Sequence, residues 1–240
     1  MSAESKGGCI IVGMDSQLWG GLLHEPMSHE FWGLNQGHVL IQPLLLKRFT
    51  RWFQIHPWGP MVARQRPEHG HVEWLAQCGM PVYLEEAQAE IPTGVRYPYE
   101  EVVATIGSNY FATNSFGYMI ALAIHERFEE IKLYGAAFGP KDISDAYARP
   151  CIEFLLGLAQ GRGIRVWVPE GSALLKGDIY GRTVDQSGLA LEEALDVLRR
   201  YSGQLKYGGE RQRVQAASQQ LERLYLKLVG GKARHGSSGE

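Results

Sequence analysis

Short apolar runs and longer amphipathic stretches alternate along most of the chain, and their order reads as strand–helix–strand. Residues 9–13, CIIVG, are a β-branched run closed by glycine, the pattern of a buried parallel strand with a tight turn at its carboxyl end. Phe31–Leu34 is a second apolar run, leading into polar Asn35 and Gln36. Residues 51–57, RWFQIHP, alternate like a half-buried strand over 51–56 and are stopped by Pro57. Residues 81–86, PVYLEE, predict a further strand followed by a polar loop. Residues 97–107 predict a short helix with Pro98 near its start and Gly107 at its end. The next segments predict a helix over 113–128, a strand over 130–138, a helix over 149–163 opened by proline and closed by glycine, and a strand over 164–168. Strand–helix–strand with short connections requires parallel pairing through right-handed crossovers. The predicted fold is therefore α/β: a Rossmann-like parallel sheet with helices on both faces, spanning residues 1–175.

After Gly171 the pattern changes. Residues 172–188 are polar and glycine-containing, and 189–201 and 210–229 read as helices, so 176–230 is predicted as a C-terminal helical extension. In the second helix Val214, Ala217, Leu221, Leu224 and Leu228 recur at alternating spacings of three and four, a narrow apolar seam. Such a seam serves either to pack on its own sheet domain or to join two copies as a homodimer. Residues 231–240 are predicted to be a disordered tail.

Composition narrows the classes. The 240 residues, 45% hydrophobic, suit one large domain, or one domain plus a helical appendage. A formal net charge of −2 gives no long-range reason to expect a nucleic acid partner. Cys9, Cys78 and Cys151 are odd in number and widely spaced, which predicts reduced, mostly buried thiols and neither a disulfide framework nor a zinc site. The polar start and the shortness of the Cys9–Val12 run speak against a signal or a membrane span, and no other stretch approaches 18 apolar residues. These features predict a cytoplasmic protein without a membrane partner.

Candidate chemistry clusters at predicted element ends. Gly13-Met14-Asp15-Ser16 follows the first strand, where loop N–H groups of an open parallel sheet hold phosphate, although neither a G-x-G-x-x-G nor a P-loop motif is present. Asn35 and Gln36 carry amides that suit a base or ribose, or else cap their own turn. Thr113-Asn114-Ser115 precede a helix and offer hydroxyls and free N–H groups, as plain caps or as an anion site. His56 ends a strand where a site would lie. His69, His71 and Glu73 admit a metal loop but read better as a solvated one, so no metal is expected. His125 reads as structural. Arg149, flanked by Tyr147 and Glu153, is predicted at a helix N-terminus, where a cation opposes the dipole; it either holds an anion or makes a surface salt bridge.

The order of these motifs resembles the fold group of bacterial CMP-sialic-acid-dependent sialyltransferases and the related pterin-pyrophosphokinase-like proteins. It is still more similar to Rossmann-like proteins of tailed phages and prophages. The resemblance covers about residues 9–175. IIVGMDS resembles the strand-one loop that contacts the donor nucleotide, matching at Gly13 and Ser16 and differing at Met14 and Asp15. EFWGLNQ is similar to the segment whose asparagine, here Asn35, touches the donor. The segment from Thr113 to Phe138 resembles one in which a Thr/Ser-rich turn caps a helix against the nucleotide. The stretch from Arg149 to Val168 is similar to the following helix and strand, matching at Ile152, Glu153 and Leu155. The resemblance implies a nucleotide or nucleotide-sugar ligand held by Gly13, Ser16, Asn35, Thr113, Asn114 and Ser115. It departs where catalysis would lie: the histidine base of that group falls at Ala146, and its aspartate and tyrosine at Ala137 and Gly139. Two functions follow. One is sugar transfer, with His56 or Tyr147 as base and Arg149 on the leaving phosphate. The other, favoured by the missing histidine, is a non-catalytic protein, phage-encoded as the resemblance implies, that captures a nucleotide-derived ligand or a host partner.

Overall fold

The computed structural model describes residues 6–64, 70–139 and 143–177, together with the single positions 195, 200 and 219. Seven strands are described: β1 (Lys6–Val12), β2 (Glu30–Leu34), β3 (Phe49–Gln54), β4 (Val82–Leu84), β5 (Gly94–Arg96), β6 (Phe128–Tyr134) and β7 (Arg165–Trp167). They form one sheet in the order β5-β4-β3-β2-β1-β6-β7, and every pairing is parallel. The fold is thus an α/β, Rossmann-like parallel sheet. From the central β1 the chain steps outward through β2 to β5, then returns to the other side of β1 for β6 and β7.

The apolar run Cys9–Val12 occupies the centre because only a strand paired on both edges and covered on both faces can bury four apolar residues in succession. Cys9 and Ile11 enter one core, with Trp32, Phe53, Met119 and Leu122. Ile10 and Val12 enter the other, with Phe31, Trp52, Leu75 and Val82. Helices α4 (Tyr99–Ile106), α5 (Ser115–His125) and α6 (Ile143–Gly161) cover the first face. Helices α1 (Pro43–Leu46), α2 (Trp58–Arg64) and α3 (His71–Gln77) lie in the β2–β3 and β3–β4 connections, and α1 and α3 contribute Leu45 and Leu75 to the second core.

Element ends depart from the pattern for identifiable reasons. The helix expected over 113–128 stops at His125, because Arg127 takes a left-handed φ of +60° and Phe128 already pairs with Lys6. The strand expected over 130–138 ends at Tyr134; Ala136 and Phe138 stay apolar because their turn is buried, with Ser172 Oγ donating to Ala136 O at 2.6 Å. The helix expected over 149–163 begins at Ile143, so Pro150 lies inside it and does not open it. Helices α1, α2 and α3 and strand β5 are additional to the sequence reading.

The chain divides into a sheet unit, residues 1–138 with 146–174, and a second unit, 139–145 with 175–240. The helices expected over 189–201 and 210–229, the Val214–Leu228 seam and the tail over 231–240 lie outside the described residues, apart from helical Leu195, Arg200 and Gln219. Among the described residues no helix is long and apolar enough to cross a membrane.

Candidate functional site

In an open parallel sheet the ligand crevice forms beyond the carboxyl ends of the strands where the strand order reverses. Here the reversal falls between β1 and β6, and main chain closes it. Gly13 N donates to Tyr134 O (2.7 Å), Asp15 N to Gly135 O (3.3 Å) and Gly135 N to Leu18 O (3.2 Å). Trp19 Nε1 adds a bond to Gly13 O (3.0 Å). A Cβ on Gly13 would stand 2.4 Å from Gly135 O and 2.4 Å from the Phe116 ring; one on Gly135, at φ +63°, would stand 2.4 Å from Gly13 O. Gly13 therefore serves the close approach of two turns, and its N–H is already engaged. Ser16 is exposed on a short 3₁₀ turn, Ser16–Leu18, capped by the Asp15 carboxylate.

The open space lies one and two strands away. A cavity of about 320 Å³ is lined by Met14 beyond β1, Asn35 and Gln36 beyond β2, Gln54 and His56 at the end of β3, and Pro57, Pro60, Met61 and His71. That volume is near the lower end of the roughly 300–1,000 Å³ usual for small-molecule sites. No described residue on its wall is Asp, Glu, Lys or Arg.

Asn35 is held in the left-handed region, φ +48°, directly after β2. The Trp52 ring sets this turn: it occupies the space a Cβ on Gly33 would need, at 2.1 Å, and its Nε1 donates to Asn35 O at 2.9 Å. The Asn35 Oδ1 is buried, with no hydrogen-bond partner among the described residues. Gln54, 2% exposed, closes β3 with its Oε1 2.8 Å from His71 Nε2. Its amide nitrogen has no partner among the described residues. His71, 1% exposed, in turn sits with Nδ1 2.9 Å from His38 Nε2, and the His38 ring stacks on Trp74 at 4.2 Å and 3°. The bonding pattern fixes the protons: Gln54 Oε1 only accepts, so His71 Nε2 carries a hydrogen, and one further proton occupies the His71–His38 contact.

No family model, curated protein or solved structure matches the chain. The chemistry of the site itself therefore carries the functional reading.

Of the residues expected from sequence, Asn35 and His56 share the cavity wall, His56 exposed to solvent. Gly13, Ser16, Thr113, Asn114, Ser115, Tyr147 and Arg149 are not on it. Asn114 is a plain N-cap, its Oδ1 accepting from Gly117 N at 2.9 Å and its Nδ2 donating to Thr113 Oγ1 at 3.0 Å. Ser115 opens α5, and the next residue, Phe116, fills the β1–β6 crevice. Tyr147 is 77% exposed. Arg149 lies within α6, not at its N-terminus, and pairs with Glu153 one turn on at 2.8 Å, so the dipole conflict that suggested an anion-holding task does not arise. His71, expected in a solvated loop, is buried at the start of α3, and His69 lies outside the described residues. His125 is structural, its Nδ1 bonded to Thr105 Oγ1 at 2.7 Å. The three cysteines are unpaired, and burial pushes each thiol up from its ordinary pKa.

Gln54 and His71 are the wall residues the sequence reading missed. Gln54 was legible as the one amide among the inward positions of an otherwise apolar strand end. His71 shares one helical face with Trp74 and Leu75, but the seven residues of α3 are too few for that spacing to declare a helix in the sequence.

Proposed function

We propose that the protein binds a nucleotide or nucleotide-sugar, with the base in the cavity beyond β1–β3. The observation that carries this reading is the Asn35 amide. A buried acceptor without a partner costs about 1–3 kcal/mol, and a left-handed asparagine adds strain, so both persist where a ligand makes use of them. The Gln54 amide nitrogen supplies donors on the same cavity wall, and a donor beside an acceptor is the pairing that the edge of a base requires. Met14, Met61, Pro57 and Pro60 give apolar surface for its faces.

The test is calorimetric titration with nucleosides, nucleotides and nucleotide-sugars on wild type and Asn35→Gly. Glycine accepts a positive φ, so this variant removes the amide and keeps the turn. Affinity is expected to fall about tenfold, one hydrogen bond's worth. A panel in which nothing binds, or a variant that binds as well as wild type, rejects the proposal.

Sugar transfer is a second reading, favoured by the placement of His56 on the same wall. There it would take the proton of an acceptor hydroxyl as the sugar leaves the nucleotide. His56→Ala separates this from capture without chemistry: under transfer it lowers turnover about a hundredfold with binding retained, and under capture wild type shows no turnover.

A further inference from the structure

Leu34 of β2 lies opposite Phe53 of β3, so Asn35 and Gln54 are the next positions on two neighbouring strands. Both line the cavity. An amide has nearly the same shape either way round, so shape alone does not decide whether Gln54 shows the cavity its oxygen or its nitrogen. His71 decides it. Its Nε2–H donates to the Gln54 oxygen over 2.8 Å, and a turned amide would set N–H against N–H where both residues are at most 2% exposed. The Gln54 nitrogen is thereby left for the cavity.

The histidine is itself held from behind. Its Nδ1 is 2.9 Å from His38 Nε2, and the His38 ring lies flat on Trp74. Trp74 meets Trp52 edge to face at 4.6 Å, and Trp52 Nε1 donates to Asn35 O. One row of rings therefore stands behind both amides. It fixes the Gln54 side chain through His71 and the left-handed turn of Asn35 through Trp52, with the Asn35 Oδ1 left as a buried acceptor.

We infer that the cavity reads one polarity, an acceptor at the end of β2 and a donor at the end of β3, and that His71 is the positioning residue that sets the donor. The ligand class this fits is a ring whose edge carries a hydrogen-bond donor beside an acceptor, such as an amino group next to an unprotonated ring nitrogen. The inference rests on the reading of the cavity as a base site and names the edge that the base presents.

2-Aminopyridine is the smallest probe with that edge; aniline lacks its ring acceptor and pyridine lacks its amino donor. Saturation-transfer NMR in mildly alkaline buffer, where 2-aminopyridine is uncharged, measures the three affinities. 2-Aminopyridine is expected to bind wild type about tenfold more tightly than either, one hydrogen bond's worth. In His71→Leu the Gln54 amide is free to turn. The lead over aniline is then expected to shrink to about twofold, while the lead over pyridine, which reports Asn35, persists. A merely structural histidine would weaken all three by one factor and leave their ratios unchanged. Gln54→Glu keeps the shape and puts an oxygen where the donor stood, so aniline is expected to bind it at least as well as 2-aminopyridine. This second variant decides the matter if His71→Leu does not fold. Equal binding of the three probes to wild type, no binding of 2-aminopyridine, or wild-type ratios in either variant overturns the inference. Nucleosides titrated alone keep the two readings apart. If they bind and the three probes are indistinguishable, the fixed polarity is refuted and the base site stands. If the probe ratios hold and no nucleoside binds, the base site falls and the polarity stands.

Discussion

Gln54, His71 and His38 form a chain of three polar side chains, two of them almost fully buried, and each satisfies the next. Replacing His71 by leucine removes the donor to Gln54 Oε1 and the partner of His38 while leaving both in place. The loss is expected at about 1–3 kcal/mol, the cost of stranding a buried polar group. A Gln54→Leu, His71→Leu double variant has no stranded amide and is expected to be more stable than the two single effects summed. Urea denaturation of all four proteins measures the coupling, and strict additivity would show that the contact is energetically idle. Arg48 shows the opposite use of polarity. It donates to the carbonyls of Leu23, Glu25 and Pro26 and lies 4.1 Å over the Phe31 ring, so one cation fastens the irregular β1–β2 connection.

Between elements, two glycines decide whether β1 and β6 can end side by side. Gly13→Ala forces a methyl against a backbone oxygen and the Phe116 ring, neither of which can retreat cheaply. A loss of about 1–3 kcal/mol is expected, the cost of overpacking. Gly135→Ala meets a similar overlap and in addition a left-handed φ, so its loss is expected to be larger by about 1–2 kcal/mol. Gly157→Ala is the counterpart within one element. It lies in α6 with nothing within 4 Å of an added methyl, and it is expected to stabilise by up to about 1 kcal/mol through helix propensity. Thermal melts of the three variants rank these effects; a Gly13→Ala protein as stable as wild type would contradict the close-approach role.

Across the whole sheet unit, one ionic network gathers the amino edge. Arg51 of β3 bonds Glu126 beyond α5 at 2.6 Å and 2.8 Å and Glu30 of β2 at 2.7 Å, and reaches Tyr83 of β4 at 3.0 Å. Lys6 of β1 also bonds Glu126. Burial by itself pushes the Glu126 carboxyl up, but the bonds and charges from Arg51 and Lys6 outweigh it and hold it below the ordinary value. The Glu126 pKa is lower folded than unfolded. Its contribution is therefore complete above about pH 4.3, the usual glutamate value, and is lost as pH falls through the folded pKa. Glu126→Gln is expected to cost about 1.5–3 kcal/mol at neutral pH, because the partly buried Arg51 loses one of its two carboxylate partners and keeps only Glu30, and to flatten the acid limb of the stability curve. Urea midpoints across an acidic pH series test this; an acid limb as steep in the variant as in wild type would assign the acid sensitivity to other carboxylates.

Periodicity by itself determined the parallel α/β sheet, the burial of Cys9–Val12 and the α4 and α5 segments, and made the strands' carboxyl edge the expected place for a site, since each follows from local spacing and the parallel rule. It also reached Asn35 and His56, the polar residues at the ends of β2 and β3. Tertiary structure decided where along that edge the space opens. Whether a crevice is empty depends on how closely two distant turns approach, and the contact of Gly13 with Gly135 and Phe116 has no signature in either segment alone. For the same reason the sequence left Arg149 open between an anion and a salt bridge, and the 113–115 turn open between an anion site and a cap; the fold shows an intrahelical ion pair with Glu153 and an Asn114 cap on Gly117 N. Short helices such as α3 carry too few residues to declare a period, so the burial of His71 became visible only once Gln54 and His38 stood beside it.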